Sequence, residues 1–400
     1  MPLIIQKYGG KSLASTDDIK AVAAQIVSRY DKGDRLAIVV SAMGDTTDKY
    51  LALARGVNES ASGRELDVLL SVGERISIAM LALAINAIRK GLAVSLTGAQ
   101  AGIITDTQHT AARIVEVRAQ RVRDILAQGQ IPVIAGYQGI TTEKNISTLG
   151  RGGSDATAVA LGIALGAERV EFMKDVAGVS TADPKEIPAA RIIDELGYTE
   201  ALELTGCGAK ILQLPAVELA AEHKMPLAIG DVRTGQIGTI ISQQPLAHRT
   251  LTAIVFVPSV THFPLPDRPF GILDALRKEG IHPLGVSWGP GGGDLVLSRA
   301  DAASVWSNPT LEAHLGAGRE LSLVTLVGPG AGSSGIIFAK ASFCLNAFIH
   351  QCQGLLLSET RFAVLLEENA ARAFARAAHR QFFEEDAASG TETDPKGRRA

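Results

Sequence analysis

Two glycine-rich turns carry the residues of this chain that are best suited to bind phosphate. The first reads KYGGKS at residues 7–12, and the second reads GRGGSDATA at residues 150–158. Glycine lets backbone N–H groups approach a phosphate closely and adopts the positive φ that tight turns require. Lys7 in the first turn and Arg151 in the second supply positive charge, so the two turns together predict a phosphoryl-transfer site. Neither turn matches a Walker or a dinucleotide-binding pattern.

Three other stretches place polar groups beside apolar segments. SAMGDTTD at 41–48 supplies hydroxyls and acids, although such a turn could equally cap the next helix. Glu74 stands in an apolar helical run, where a carboxylate needs a partner, either a substrate amino group or an arginine such as Arg75. TGAQAGIITDTQH carries Asp106 and His109. For His109, a loop or capping role is favoured over a catalytic one.

A fourth stretch, KDVAGVSTADPK at 174–185, follows an apolar run and predicts a backbone slot for a nucleotide. Lys185 and the later Lys210 could reach phosphate from there. Arg151 suits a substrate carboxylate, because a guanidinium grips a carboxylate through two parallel hydrogen bonds. The helical run that follows the GRGG turn would add positive potential at the same place.

The elements that must position these loops alternate between short apolar runs and helical patterns up to about residue 242. The predicted strands are LIIQKY (3–8), RLAIVVSA (35–42), LAVSLTG (92–98), IPVIAGY (131–137), RVEFMK (169–174) and PLAIGD (226–231). The predicted helices between them include 18–31, 65–88 and 112–129. This alternation predicts an α/β fold with a mainly parallel open sheet and helices on both faces. The loops would share the edge formed by the carboxyl ends of the strands.

The pattern changes after residue 245. Two segments then read strand, helix, strand, strand, helix, which predicts two ferredoxin-like βαββα modules over 246–384. Residues 385–400 are polar and rich in small residues, so a disordered tail is expected. Residues 1–242 would form the catalytic domain.

Composition excludes several function classes. The chain has 400 residues, a net charge of −3 and only 4% aromatic residues, which disfavours nucleic acid as a partner. Its three cysteines suggest no metal site and are expected to be reduced. The amino terminus has no secretory pattern, and the apolar run 77–88 is too short to span a bilayer. A cytoplasmic enzyme without a membrane partner is predicted.

The order of the motifs adds a resemblance to these inferences. KYGGKS, SAMGDTTD, ELDVLLSVGER, TGAQAGIITD, AGYQG, LGRGGSDATAVALG, DVAGVSTADPK and GAKIL follow one another as in the aspartate kinases of the amino acid kinase family, which the chain closely resembles over residues 3–242. The carboxy-terminal repeats look like the tandem ACT domains that follow this catalytic domain, with a looser match.

The resemblance implies an activity and a set of site residues. ATP with Mg²⁺ would phosphorylate the side-chain carboxylate of L-aspartate to 4-phospho-L-aspartate, the first step towards lysine, threonine and methionine-type amino acids. The implied catalytic residues are Lys7, Asp155 and Lys210. The implied substrate-binding residues are Ser41, Thr47, Glu74, Arg151 and Ser154. The implied nucleotide-binding residues are Gly9, Gly10, Ser12, Lys174, Asp175, Ser180, Asp183 and Lys185. No protein metal ligand is assigned.

The resemblance also implies partners, namely a small amino acid substrate, a second copy bound through the ACT-like region, and an amino acid effector. The chain departs from the family pattern at Lys11, Ala156, Ala177 and Ser180. These departures leave two alternatives open: a kinase for another amino dicarboxylate, and a regulatory subunit without turnover.

Overall fold

The structure, a computed structural model, describes residues 2–150, 152–243, 251–333 and 335–385. The predicted disordered tail therefore lies outside the described residues, apart from residue 385. The chain forms two compact units. The first comprises Met1–Val179, Ile192–Tyr198 and Leu212–Gln244, and the second comprises Ser180–Arg191, Thr199–Ile211 and Pro245–Ala400.

The described residues of the first unit form twelve strands. They are β1 (Leu3–Tyr8), β2 (Arg35–Val40), β3 (Ala93–Leu96), β4 (Ile103–Thr105), β5 (Ile114–Val117), β6 (Ile131–Ala135), β7 (Gln138–Thr141), β8 (Ile146–Thr148), β9 (Arg169–Lys174), β10 (Glu195–Gly197), β11 (Leu227–Asp231) and β12 (Ile237–Ser242). Eight of them form one sheet in the order β10-β12-β11-β9-β1-β2-β6-β3. Only the β11–β12 pair is antiparallel. The predicted mainly parallel sheet is confirmed.

Helices cover both faces of this sheet, as predicted. The helices up to residue 223 are α1 (Thr16–Asp31), α2 (Thr46–Val57), α3 (Arg64–Leu70), α4 (Val72–Ile88), α5 (Gln120–Ala127), α6 (Gly153–Leu165), α7 (Tyr198–Gly206) and α8 (Leu214–His223). Helices α1 and α4 pack on the face that carries Ile4 and Tyr8 of β1. Because strand side chains alternate, Ile5 and Lys7 lie on the opposite face, against which α6 packs.

The prediction of one helix over 112–129 is wrong in its first half. Residues Ile114–Val117 form β5, which belongs to a separate four-stranded sheet of order β5-β4-β7-β8, and the helix spans only Gln120–Ala127. The sequence ARIVEVRAQRV has the spacing of a helix, but IVEV also alternates like a strand. Pairing of β5 with β4 decides between them.

The apolar run 77–88 is part of a longer helical stretch than the sequence suggested. Helices α3 and α4 follow each other over Arg64–Ile88, which by length and composition alone could cross a membrane. Half of its most apolar window, of mean hydropathy 1.9, is buried inside the protein. This burial is typical of a core helix.

The second unit contains the two predicted βαββα modules. Its strands are β13 (Ala253–Leu265), β14 (Gly285–Gly289), β15 (Gly292–Ser298), β16 (Arg319–Val327), β17 (Gly354–Ser358) and β18 (Arg361–Leu366). Its helices are α9 (Phe270–Lys278), α10 (Arg299–Trp306), α11 (Pro309–Leu315), α12 (Gly335–Asn346) and α13 (Glu368–His379), together with all of α7 except Tyr198. The strands form one sheet of order β14-β15-β13-β16-β18-β17. A π-helical turn, Arg380–Glu384, continues α13. Strand β13 pairs with β16 along most of its length, with a register shift between Val257 and Val260.

Candidate active site

Lys7 lies next to the last residue of β1, in the middle of the sheet. Its register partners are Val39 of β2 and Phe172 of β9. The Lys7 Nζ atom is 2.6 Å from Oδ1 of Asp155, and both side chains are largely buried. Asp155 lies in the first turn of α6, where acidic residues interact favourably with the helix dipole. The two glycine-rich turns thus meet through an ion pair.

The first glycine turn packs directly on the loop that follows β2. The N–H of Ser41 donates to the carbonyl of Tyr8 at 3.1 Å, and the N–H of Gly44 donates to the carbonyl of Gly10 at 3.0 Å. A Cβ atom on Gly10 would lie 2.5 Å from the carbonyl oxygen of Ala42, which is too close for any other residue. Glycine is therefore required at position 10 by the approach of two backbones.

Glu74 reaches the same loop from the first turn of α4. Its Oε1 atom accepts a hydrogen bond of 3.1 Å from the N–H of Ala42. Its Oε2 atom is buried and has no hydrogen-bond partner among the described residues. Burial raises the pKa of Glu74 to about 7, against the lowering effect of the N–H donors. An acceptor that is buried and unsatisfied costs free energy, so a donor on a bound ligand would be favoured here.

The second glycine turn starts α6 beside β6. Gly152 precedes the helix with φ of 81°, a conformation that favours glycine, and Ser154 is 8% exposed. A Cβ on Gly136, just after β6, would lie 2.9 Å from the Ser154 side chain. This close packing brings the amino end of α6 to the carboxyl edge of the sheet. Arg151, the predicted carboxylate-binding residue, lies outside the described residues.

Lys174, the last residue of β9, lies at the same edge. Tyr8 pairs with Met173, and in a parallel pair the positions in register share a face, so Lys174 and Lys7 project from the same face. Burial lowers the pKa of Lys174, and the Asp155 carboxylate, the Lys7 ammonium and Asp175 also act on it. Two lysines and one carboxylate therefore face one another at the edge of the sheet.

The other predicted residues are distributed between the two units. Ser12 and Thr47 are half-buried in the first unit, and Asp175 is exposed there. In the second unit lie Ser180, Asp183, Lys185 and Lys210. Lys185 and Lys210 are exposed, and Asp183 accepts a hydrogen bond of 2.9 Å from the N–H of Lys185. Among the described residues, no group of three His, Cys, Asp or Glu side chains could hold a metal ion.

Sequence reasoning missed a buried carboxylate on α3, the helix that precedes α4. Asp67 of α3 is fully buried, with His109 Nδ1 at 2.6 Å and the Thr110 N–H donating at 3.0 Å. The Thr148 hydroxyl also donates to it. His109 is thus a loop residue that pairs with an acid, in line with the role favoured above. The sequence did contain an indication of this second buried acid. Asp67 and Glu74 are seven residues apart in the helical run 65–88, and this spacing places them on one face of a helix.

Comparison with known proteins agrees with this geometry. Residues 2–231 match the Amino acid kinase family. An aspartokinase of Corynebacterium glutamicum is 37% identical over an alignment that covers 96% of this chain and 96% of that one. An aspartokinase of Geobacillus stearothermophilus is 44% identical over 264 residues, 65% of this chain and 64% of that one. The solved structure of E. coli aspartokinase III with aspartate and ADP has the same fold, with a TM-score of 0.81 and 22% identity over 96% of this chain and 100% of that one.

Proposed function

The chain belongs to the amino acid kinase family and, within it, to the aspartokinases, and from that premise we propose how its residues perform the reaction. The enzyme transfers the γ-phosphoryl group of ATP to the side-chain carboxylate of L-aspartate. One observation carries the assignment of the site: Lys7 and Asp155 bridge the two glycine turns at the carboxyl edge of the sheet. The two alternatives, another dicarboxylate acceptor and a subunit without turnover, are not favoured, because the aspartokinase relatives match nearly the whole chain.

The acceptor would bind between the loop after β2, the first turn of α4 and the GRGG turn. Glu74 Oε2 would accept a hydrogen bond from the aspartate ammonium group, which supplies the donor that this atom lacks. Arg151 would grip the α-carboxylate. Ser41, Thr47 and Ser154 would orient the acceptor through their hydroxyls.

Phosphoryl transfer would depend on position and charge rather than on a general base. The aspartate side chain is already ionised at about pH 7, so no proton has to be removed before it attacks the γ-phosphorus. Lys7 and Lys174 would stabilise the charge on the phosphoryl oxygens, while the amides of Gly9, Gly10 and Ser12 would hold the phosphates. Asp155 would keep Lys7 oriented between turnovers.

Mg²⁺ fits this residue set. The ion usually keeps several waters and binds one or two carboxylates together with substrate phosphates. Asp155 is a buried carboxylate, and it lies at the proposed transfer centre beside Lys7. Asp155 would help to hold the ion, which would neutralise charge on the phosphates.

The remaining assignments complete the proposal. Residues 1–242 would act as the catalytic domain, with Asp175, Ser180, Asp183 and Lys185 lining the nucleotide pocket and Lys210 near the phosphates. Residues 246–384 would form the regulatory region. That region would bind an amino acid effector and pair with a second copy of the chain, and the enzyme would be cytoplasmic, where both of its substrates occur.

The experiment that tests this proposal follows ADP release with ATP, Mg²⁺ and L-aspartate, with hydroxylamine present to trap the acyl phosphate. We expect hydroxamate with aspartate, and we expect none from Arg151→Ala. Arg75→Ala is the matched control, because Arg75 is exposed and is not the partner of Glu74, whose Oε2 atom is unpaired among the described residues. ATP binding without hydroxamate from aspartate would contradict the proposed acceptor.

A further inference from the structure

The segment that follows the Asp175 loop is built into the second unit. Residues Ser180–Arg191 cluster with the ACT-like region rather than with the first unit. In the proposed function this segment contains three nucleotide-pocket residues, Ser180, Asp183 and Lys185. Hydrogen bonds, an ion pair and apolar packing within the second unit hold this segment in place.

Thr181 is the anchor of this segment. Its carbonyl accepts a hydrogen bond of 2.7 Å from the N–H of Ile254 at the start of β13. Its own N–H donates to the carbonyl of Arg191 at 2.9 Å, and its hydroxyl accepts from the N–H of Arg191 at 3.0 Å. The segment 181–191 is therefore a closed loop that is tied by its base to a strand of the second unit.

The hydroxyl of Thr181 also contacts a buried histidine at the end of α13. Thr181 Oγ1 lies 3.0 Å from Nε2 of His379, which has no solvent exposure. Nδ1 of the same ring lies 2.9 Å from a carboxylate oxygen of Glu384. A carboxylate accepts, so Nδ1 donates to Glu384, while Nε2 forms the hydrogen bond with the Thr181 hydroxyl.

The π-helical turn after α13 makes this arrangement possible. His379 and Glu384 are five residues apart, which is the hydrogen-bonding period of a π-helix and places the two side chains together. A regular α-helix brings residues three or four apart into contact instead. The π-helical turn thus brings Glu384 to His379 and fixes the orientation of the imidazole ring.

Helix α13 also contacts the loop 181–191 at Glu186. Arg372 of α13 forms an ion pair with Glu186, and Arg376 Nε donates to the Glu186 carbonyl at 3.3 Å. Between the polar contacts, Ala182 and Ile187 pack in the core cluster that contains Phe374 of α13. One helix of the regulatory region therefore holds the loop by a buried hydrogen bond, an ion pair and apolar packing.

We propose that His379 and Arg372 are positioning residues for the nucleotide, acting through the loop 181–191. This inference rests on the proposed role of Ser180, Asp183 and Lys185 in the nucleotide pocket. The placement of Ser180, Asp183 and Lys185 then depends on helix α13, nearly 200 residues away in sequence. Loss of either contact weakens ATP binding and leaves aspartate binding unchanged.

The test compares Thr181→Val, Arg372→Ala and the control Arg380→Ala in the full-length enzyme. Arg380 is an exposed arginine just after α13 with no assigned contact to the loop. We expect the first two variants to raise the Kd for ATP, measured by calorimetry, and the KM for ATP by about five- to tenfold, as for the loss of one hydrogen bond or ion pair. The KM for aspartate should stay within about twofold of the wild type.

Thr181→Ser keeps the hydroxyl and should restore ATP affinity, which separates positioning from a loss of packing. A lower melting temperature with an unchanged Kd for ATP would overturn the inference, because the contacts would then be structural only. A wild-type enzyme that fails to bind ATP would instead overturn the proposed function, and this inference with it.

Discussion

The ammonium group of Lys7 lies 2.6 Å from the carboxylate of Asp155, although the two residues are separated by almost 150 positions in sequence. One stands near the end of a central strand and the other in the first turn of a helix. Removing one partner of a buried ion pair leaves an uncompensated charge. Replacing either residue is therefore expected to lower both the stability of the protein and its activity.

Lys7→Met should abolish most of the activity. We expect kcat to fall by about 100- to 1000-fold, because a cation that stabilises charge in the transition state is lost. The melting temperature should fall too, since Asp155 remains buried without its partner. The matched control is Lys11→Met, which removes an exposed lysine from the same turn. The measurement is steady-state hydroxamate formation, and equal effects of the two variants would contradict the assignment of Lys7.

Much of this site could be predicted because it depends on local sequence signals. The strands that carry Lys7 and Lys174 were predicted with the bounds that the structure shows, since an apolar run bounded by glycine or charge defines a buried strand. The helix after the GRGG turn was likewise expected. Parallel strands then place their carboxyl ends at one edge, whatever the details of packing.

What the sequence did not predict depends on contacts between distant residues. Asp67 meets His109 and Thr148 only because a helix packs against a small second sheet, and no local pattern specifies that sheet. Strand β5 alternates over only four residues, so its pairing with β4 is what distinguishes it from a helix. The contact between Thr181 and His379 spans 198 positions and requires a π-helical turn that no sequence rule indicated.

Glu74 predicts a dependence of aspartate binding on pH. Its pKa is raised to about 7 by burial, and only the ionised form would pair with the substrate ammonium. The KM for aspartate should therefore fall as pH rises through about 7. Glu74→Gln should raise the KM for aspartate by about tenfold or more and remove this pH dependence. A KM that stays flat with pH in the wild type would contradict the role of Glu74.

The same residue should make the protein less stable at higher pH. Between pH 4.5 and about 7 the folded protein keeps a proton on Glu74 that the unfolded chain has released. The contribution of Glu74 to the free energy of unfolding therefore falls as pH rises through that window. Glu74→Gln should be more stable than the wild type by about 2–3 kcal/mol above it. Urea unfolding at several pH values measures this, and a constant difference between the two proteins would refute it.

Gly10→Ala tests the close approach of the two loops. A Cβ at this position would lie 2.5 Å from the backbone oxygen of Ala42, so one loop must move. We expect a loss of about 2–4 kcal/mol in stability and a large loss of activity, since the phosphate-binding turn is displaced. Gly56→Ala is the control, because Gly56 lies in α2 with no atom within 4 Å of the added Cβ. That variant should be stabilised by up to about 1 kcal/mol. Similar melting temperatures for both variants would show that the loops are not tightly apposed.

Lys174 offers a test of the second cation that is proposed to bind phosphate. Its side chain shares a face of the sheet with Lys7, and burial lowers its pKa. If Lys174 binds phosphate, Lys174→Thr should raise the KM for ATP by about tenfold and leave the KM for aspartate nearly unchanged.

The stability of the same variant should change in the opposite direction. A buried lysine with a lowered pKa holds fewer protons in the folded state than in the unfolded chain, so it costs stability at pH values below its unfolded pKa of 10.5. That cost lessens as pH rises from the lowered pKa towards 10.5. Lys174→Thr should therefore be more stable than the wild type near neutral pH, and the gain should shrink in alkaline solution. The measurements are thermal unfolding across that pH range and the KM values for both substrates. If Lys174 only stabilised the fold, the Lys174→Thr variant would instead be less stable than the wild type and would keep its affinity for ATP.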